Sequence, residues 1–198
     1  TVAITKASAK ALGLTTDVNG NAINYDSLDA QITFSNNFAF DFNPSNGIDS
    51  DAFDFIGVAI HEIGHTLGFT SGVDSYDVYT SPGSSTTRAG ALEGFVVNSS
   101  LDLFRFAAPG EINLSTQAPV YFSVDGGATQ VFGESWMSTG RFNGDGRQAS
   151  HFRDSPAGQD QIGIMDPTSG RGQMQEVTGV DIAAFDVVGW NLNQDTSL

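Results

Sequence analysis

Apolar residues recur at helical spacing over residues 52–67, the most strongly patterned stretch of the chain. Ile56, Ile60, Ile63 and Leu67 form one stripe; Val58, His61 and His65 form a second. This predicts a helix over 52–67 with its isoleucine stripe turned to the core, Asp51 as N-cap and Gly68 as stop. Residues 3–12 predict a short helix, and residues 179–188 another, capped by Thr178 and ended by Gly189. Period-two patterning predicts strands at 31–34, with Ile32 and Phe34 on one face, at 101–106 (LDLFRF) and at 120–124 (VYFSV). The run 38–42 (FAFDF) reads as a strand or extended segment, broken by Pro44, Asn46 and Gly47. Asp125-Gly126-Gly127 predicts a hairpin turn before a further strand at 129–132, and Met165-Asp166-Pro167 predicts another turn.

The elements fall into three stretches, with no internal repeat and no long low-complexity linker. Residues 1–69 and 150–198 mix helix and strand, whereas 70–149 is richer in strand patterns. The expected fold class is therefore α+β, one domain over 1–198, with 70–149 as a β-rich insertion and 81–89 (SPGSSTTRA) as a surface loop. Hydrophobic residues at 39% allow a packed core, and 23 glycines favour turns over a helix bundle.

Charge narrows the partners. With 8 Lys+Arg against 23 Asp+Glu, the net charge of -15 repels nucleic acid and anionic membranes. Acidity of this kind serves solubility, but loops combining Asp with Gly, such as 125–127 and 143–146, also raise the expectation of bound Ca²⁺. With no cysteine, disulfides and thiolate metal sites are excluded. No apolar run is long enough to span a membrane, and none at the start resembles a signal. The expectation is a secreted or extracytoplasmic bacterial protein, monomeric, whose signal peptide is not in this sequence.

The second helical stripe carries chemistry. Residues 61–65 read His-Glu-Ile-Gly-His. Histidines at i and i+4 share one helix face, so both imidazoles can reach a single metal ion. Zinc suits neutral imidazoles in tetrahedral geometry, and Glu62 would project beside it as general base and then general acid. A catalytic zinc takes three protein ligands and one open position.

Extended to Gly68, the segment HEIGHTLG resembles the opening of the metzincin signature of zinc proteases, HExxHxxGxxH. The compact form of that signature places its third histidine where this chain has Ser71, a poor zinc ligand. Of the three histidines, the remaining one is His151, a short way before Gly163-Ile164-Met165-Asp166-Pro167, which looks like the metzincin Met-turn. Leishmanolysin-like metzincins insert a long segment after the glycine and supply their third histidine late. Ala149-Ser150-His151-Phe152 resembles that region, and Asp181-Ile182-Ala183-Ala184 resembles the helix after the Met-turn. The resemblance implies a metzincin-like zinc endopeptidase with His61, His65 and His151 as ligands, Glu62 as catalytic group, and Gly68 and Met165 as structural support. It also implies that substrate pairs as an added strand along 31–34.

Other ligands stay open. Glu93 stands downstream of the motif, as the third ligand does in thermolysin-like enzymes, and Asp74 or Asp77 could coordinate. Metzincins often place a Tyr just after the Met to help the oxyanion; here Asp-Pro-Thr-Ser follows, leaving Tyr76, Tyr79 and Tyr121 as candidates. The alternative function is a zinc-stabilised, catalytically silent binding or adhesion module. A serine esterase or a P-loop hydrolase finds no motif in the chain.

Overall fold

The computed structural model describes residues 2–82, 97–156 and 159–191. Among them the chain is mixed α+β, with four helices and three small sheets. Strand β1 (Val2–Ala3) precedes α1 (Lys6–Ala11), so the helix predicted over 3–12 starts later, at its N-cap Thr5. Strands β2 (Phe40–Asp41) and β3 (Phe53–Asp54) pair in parallel, Phe40 opposite Phe53. That ladder holds the chain extended beyond Asp51. Helix α2 therefore spans Phe55–Thr66, and its N-cap is Asp54 in place of the expected Asp51. The buried Asp54 carboxylate accepts from the Gly57 amide at 3.0 Å and the Gln175 amide at 3.1 Å, tying the helix start to the last third of the chain. Around β2 and β3, Phe34, Phe40 and Phe42 pack their rings on Phe55, which accounts for part of the high phenylalanine content.

The isoleucine stripe of α2 does not face the core. Ile56, Ile60 and Ile63 are 43%, 37% and 44% exposed, while the buried positions are Gly57 and Gly64. The reason is the closeness of the packing. A Cβ on Gly64 would lie 2.5 Å from Met165 Sδ and 3.1 Å from the Phe185 ring. The face that meets the rest of the molecule therefore carries glycine at its two closest approaches, with His61 between them. Periodicity separates the two faces of a helix, but only packing decides which is covered. The helix ends as expected, with Gly68 at φ +113°. The Leu67 carbonyl there accepts from Ser8 Oγ at 2.8 Å and Trp190 Nε1 at 2.7 Å, so one orphan acceptor of the helix end is satisfied twice.

Helix α3 (Val73–Thr80) follows, and β4 (Asn98–Ser99) pairs in parallel with β1. A four-stranded antiparallel sheet then forms from β5 (Arg105–Ala108), β6 (Glu111–Ile112), β7 (Val120–Phe122) and β8 (Trp136–Met137), in spatial order β6-β5-β7-β8. Two predicted strands change here. Leu101–Phe104 is a 3₁₀ turn, because the buried Asp102 carboxylate gathers the Ser99 amide (2.7 Å), the Gly72 amide (2.8 Å) and Ser71 Oγ (2.6 Å) and so curls the chain. The turn at 125–127 forms, with Asp125 accepting from the Thr129 amide. Val131–Gly133 is then another 3₁₀ turn, and β8 supplies the strand that pairs with β7. Residues 31–34 form no strand among the described residues and instead line a groove beside α2. Most of the loop expected over 81–89, and Glu93, lie outside the described residues.

Helix α4 (Gly179–Val187) has Thr178 as N-cap, with Asp181 completing a capping box, and Gly189 follows its end at φ +114°. The main core joins parts far apart in sequence. Phe69, Leu101, Val120, Phe122, Met137, Phe152, Met165, Ala184 and Val188 pack in one cluster. The sheet, the segment around Phe152, the turn at Met165 and α4 thus share one interior. Among the described residues no helix is long and apolar enough to cross a membrane.

Candidate metal centre

Helix α2 sets His61 and His65 one turn apart on the same face. His151 arrives on the segment beside β8. The Ser138 amide donates to the His151 carbonyl at 3.1 Å, Ser138 Oγ donates to the Phe152 carbonyl at 2.9 Å, and the Phe152 amide donates to the Met165 carbonyl at 2.9 Å. Phe152 is wholly buried, with its ring edge-on to Phe69 at 5.0 Å. These contacts hold His151 opposite the helix.

The three imidazoles converge. His61 Nε2 lies 3.1 Å from His65 Nε2 and 3.3 Å from His151 Nε2, and ligand atoms of all three fall within 4.8 Å of one another. Their other nitrogens point away, onto backbone carbonyls. His61 Nδ1 meets the Ile164 carbonyl at 2.8 Å, His65 Nδ1 the Phe69 carbonyl at 2.8 Å, and His151 Nδ1 the Gln148 carbonyl at 3.2 Å. A carbonyl can only accept, so each Nδ1 carries the proton and each Nε2 presents a lone pair. Three lone pairs aimed at one point repel unless a cation lies between them. Nitrogen ligands at ~2.0–2.1 Å around tetrahedral zinc stand about 3.3–3.4 Å apart, close to the two short separations here. The donor set therefore fits a divalent metal of the imidazole-preferring kind.

Electrostatics points the same way. Burial lowers the His65 pKa. Burial, and then the neighbouring His65 and His61, push His151 down to about 3. Neutral imidazole, the form that binds metal, is the state this environment favours. Among the described residues this is the one cluster of three or more His, Asp or Glu side chains arranged to hold an ion.

Glu62 follows His61 on α2 and lines a groove of about 430 Å³ with His65, Val58, Ile32, Phe34, Phe38 and Phe40. Met165 lies fully buried under α2, with its Sδ against Gly64. The turn that carries it is fixed by Asp181, whose buried carboxylate accepts from the Ile164 amide at 2.8 Å and the Met165 amide at 3.2 Å. Burial raises the Asp181 pKa. Since the Ile164 carbonyl in turn orients His61, Asp181 acts on the imidazole through one peptide unit. In the sequence Asp181 stands out only as part of the last helix. The spacing of Thr178 and Asp181, a capping box, was the available signal for its buried role.

The other sequence candidates lie elsewhere. Ser71 donates to Asp102. Asp74 accepts from the Ala149 and Ser150 amides, and Asp77 from the Phe142 and Asn143 amides, so both carboxylates bind backbone and neither joins the cluster. Tyr121 donates to the Gly127 carbonyl at 2.6 Å inside the sheet, whereas Tyr76 and Tyr79 sit on α3. In the two loops considered for calcium, Asp125 closes its own turn with Ser123 and Thr129, and Asp145 accepts from the Thr139 and Arg147 amides. Compared with protein-family models, curated proteins and solved structures, the chain matches none.

Proposed function

We propose that the protein is a zinc-dependent endopeptidase of metzincin-like type, with His61, His65 and His151 as the metal ligands and Glu62 as the proton carrier. One observation carries the reading. Three Nε2 lone pairs converge, each fixed by a carbonyl on its Nδ1, beside a carboxylate that faces an open groove. When bound, zinc lowers the pKa of water to near ~7 and polarises a carbonyl oxygen. Glu62 takes the proton of the attacking water and delivers it to the leaving amine. The groove beside Glu62 receives an extended peptide, its wall at residues 31–35 offering backbone that pairs with no strand among the described residues and its phenylalanines offering apolar contacts.

A zinc-stabilised silent module would keep the three imidazoles but has no use for Glu62 beside the groove. Glu62→Ala separates the two readings. On the endopeptidase reading the variant keeps one zinc per chain and loses casein hydrolysis by about 10²–10⁴-fold. Wild-type rates in the variant, or zinc-loaded wild type inert toward casein and unfolded proteins, would sink it.

A further inference from the structure

The third histidine has no helix to set its direction, and the residues that replace the helix come from the preceding segment. Asp74 stands in the first turn of α3. Its Oδ1 accepts from the Ala149 amide at 2.5 Å, its Oδ2 accepts from the Ser150 amide at 3.2 Å, and Ser150 Oγ donates to the same oxygen. The carboxylate thus holds the two peptide N–H groups immediately before His151. From the other side, Arg105 Nη1 on β5 donates to the Ala149 carbonyl at 3.3 Å. Arg105 is fully buried, and its Nε and Nη2 have no hydrogen-bond partner among the described residues. A guanidinium is retained at such a site against a large desolvation penalty. Its neighbours include Asp102 and Asp74, whose charges favour it there. Asp74 and Arg105 therefore grip the same residue, Ala149, by its N–H and its C=O.

We infer that Asp74, supported by Arg105, is a positioning residue that fixes the His151 Nε2 for metal binding, so that the segment between α2 and His151 serves as the frame of the third ligand. This rests on the reading of His61, His65 and His151 as a metal site. Asp74 acts through the backbone: two amides locked on one carboxylate fix the peptide planes on either side of Ala149, and the Ser150 Oγ bond to the same carboxylate ties down Ser150, the residue through which the chain enters His151. The third side is closed by the Ser138 amide on the His151 carbonyl. Without Asp74 the His61 and His65 pair keeps its helical geometry, but His151 swings with its loop.

The test is a double-mutant cycle on zinc affinity, measured by chelator competition on the full chain, with Co²⁺ absorption as a second readout of coordination. Asp74→Asn is expected to weaken zinc by about 10–100-fold, the usual effect of removing an outer partner of a metal ligand. It should also lower the visible Co²⁺ band intensity. In the His151→Ala background the same substitution should change zinc affinity little, because the ligand it positions is gone. Ser150→Ala removes one of the bonds to Asp74 and is the milder variant should Asp74→Asn not fold; it should show a smaller loss with the same dependence on His151. Equal losses with and without His151, or unchanged affinity in both single variants, overturn the inference and leave the metal site standing. Wild-type protein that takes up no zinc overturns the metal site and the inference together.

Discussion

His61 and His65 are set by four residues of one helix, whereas His151 comes from a loop 90 residues beyond His61. The first pair needs only the helix ladder for its relative placement. Its remaining freedom, ring rotation, is removed by the Ile164 and Phe69 carbonyls. The third residue needs an outside bond on nearly every neighbouring peptide group: Asp74 and Arg105 on 149–150, Ser138 on 151–152, Met165 on the Phe152 amide. A local histidine pair is thus specified by spacing, and a distant histidine by buried polar groups scattered through the chain. The same contrast explains part of the acidity. Asp54, Asp77, Asp102 and Asp181 are buried, each accepting from at least two backbone amides or hydroxyls, so part of the negative charge organises loops in addition to keeping the surface soluble.

The sharpest way to break the comparison is to remove one ligand from each class. His65→Ala and His151→Ala should each weaken zinc by more than the about 10–100-fold expected for outer partners. The two should differ in what remains. After His151→Ala, α2 still presents both His61 and His65, so a helical two-histidine pair persists and Co²⁺ should bind weakly with an altered spectrum. After His65→Ala, only one helical ligand remains and binding should fall further. Equal affinities for zinc in wild type and His151→Ala, measured by chelator competition, would remove the loop histidine from the site and the comparison with it.

A smaller effect tests the helix face that carries the pair. Gly64→Ala puts a methyl 2.5 Å from Met165 Sδ, between the helix and the turn that orients His61. Overpacking of this kind costs about 1–3 kcal/mol, and the better helix propensity of alanine returns up to about 1 kcal/mol. Net destabilisation in chemical denaturation is expected, with restored stability when Met165 is shortened in the same chain. A Gly64→Ala protein more stable than wild type would show that the glycine face is not closely packed.

What was legible in the sequence follows the same division. The helix bearing His61 and His65, the Gly68 stop, the last helix with its Thr178 cap and the turn at Met165 are each written within a few neighbouring residues, and all appear in the structure. The meeting of His151 with His61 and His65 depended on resemblance, because nothing within reach of His151 in sequence states where its loop goes. Asp74 illustrates the gap well. As an acidic residue soon after the motif it could be weighed as a ligand, but its partners, Ala149 and Ser150, are 75 and 76 residues away. The strand predicted over 101–106 failed for a related reason: its alternation is real, but Asp102 is drawn to Ser71 and Gly72 about 30 residues upstream and bends the chain there. The N-cap shifted from Asp51 to Asp54 because strand pairing with Phe40–Asp41 competes for the residues between.

The smallest expected effect probes the opposite face of α2, where pattern and packing disagree. Ile56, Ile60 and Ile63 look like a core stripe by spacing, yet each is more than one-third exposed. If solvent covers them, Ile60→Lys leaves the side bearing His61 and His65 untouched and changes stability by no more than about 0.5 kcal/mol, the range of ordinary surface substitutions. Lysine is also the slightly better helix former. If the stripe were the buried face, the same change would bury a charge and cost several kcal/mol. Urea unfolding of Ile60→Lys beside wild type decides between these, with zinc affinity as the control that α2 still carries His61 and His65 in register. A loss of several kcal/mol would reverse the assignment of the two faces. It would mean that the glycines, and not the isoleucines, look outward, and the account of how Met165 and Ile164 reach the histidines would have to be rebuilt.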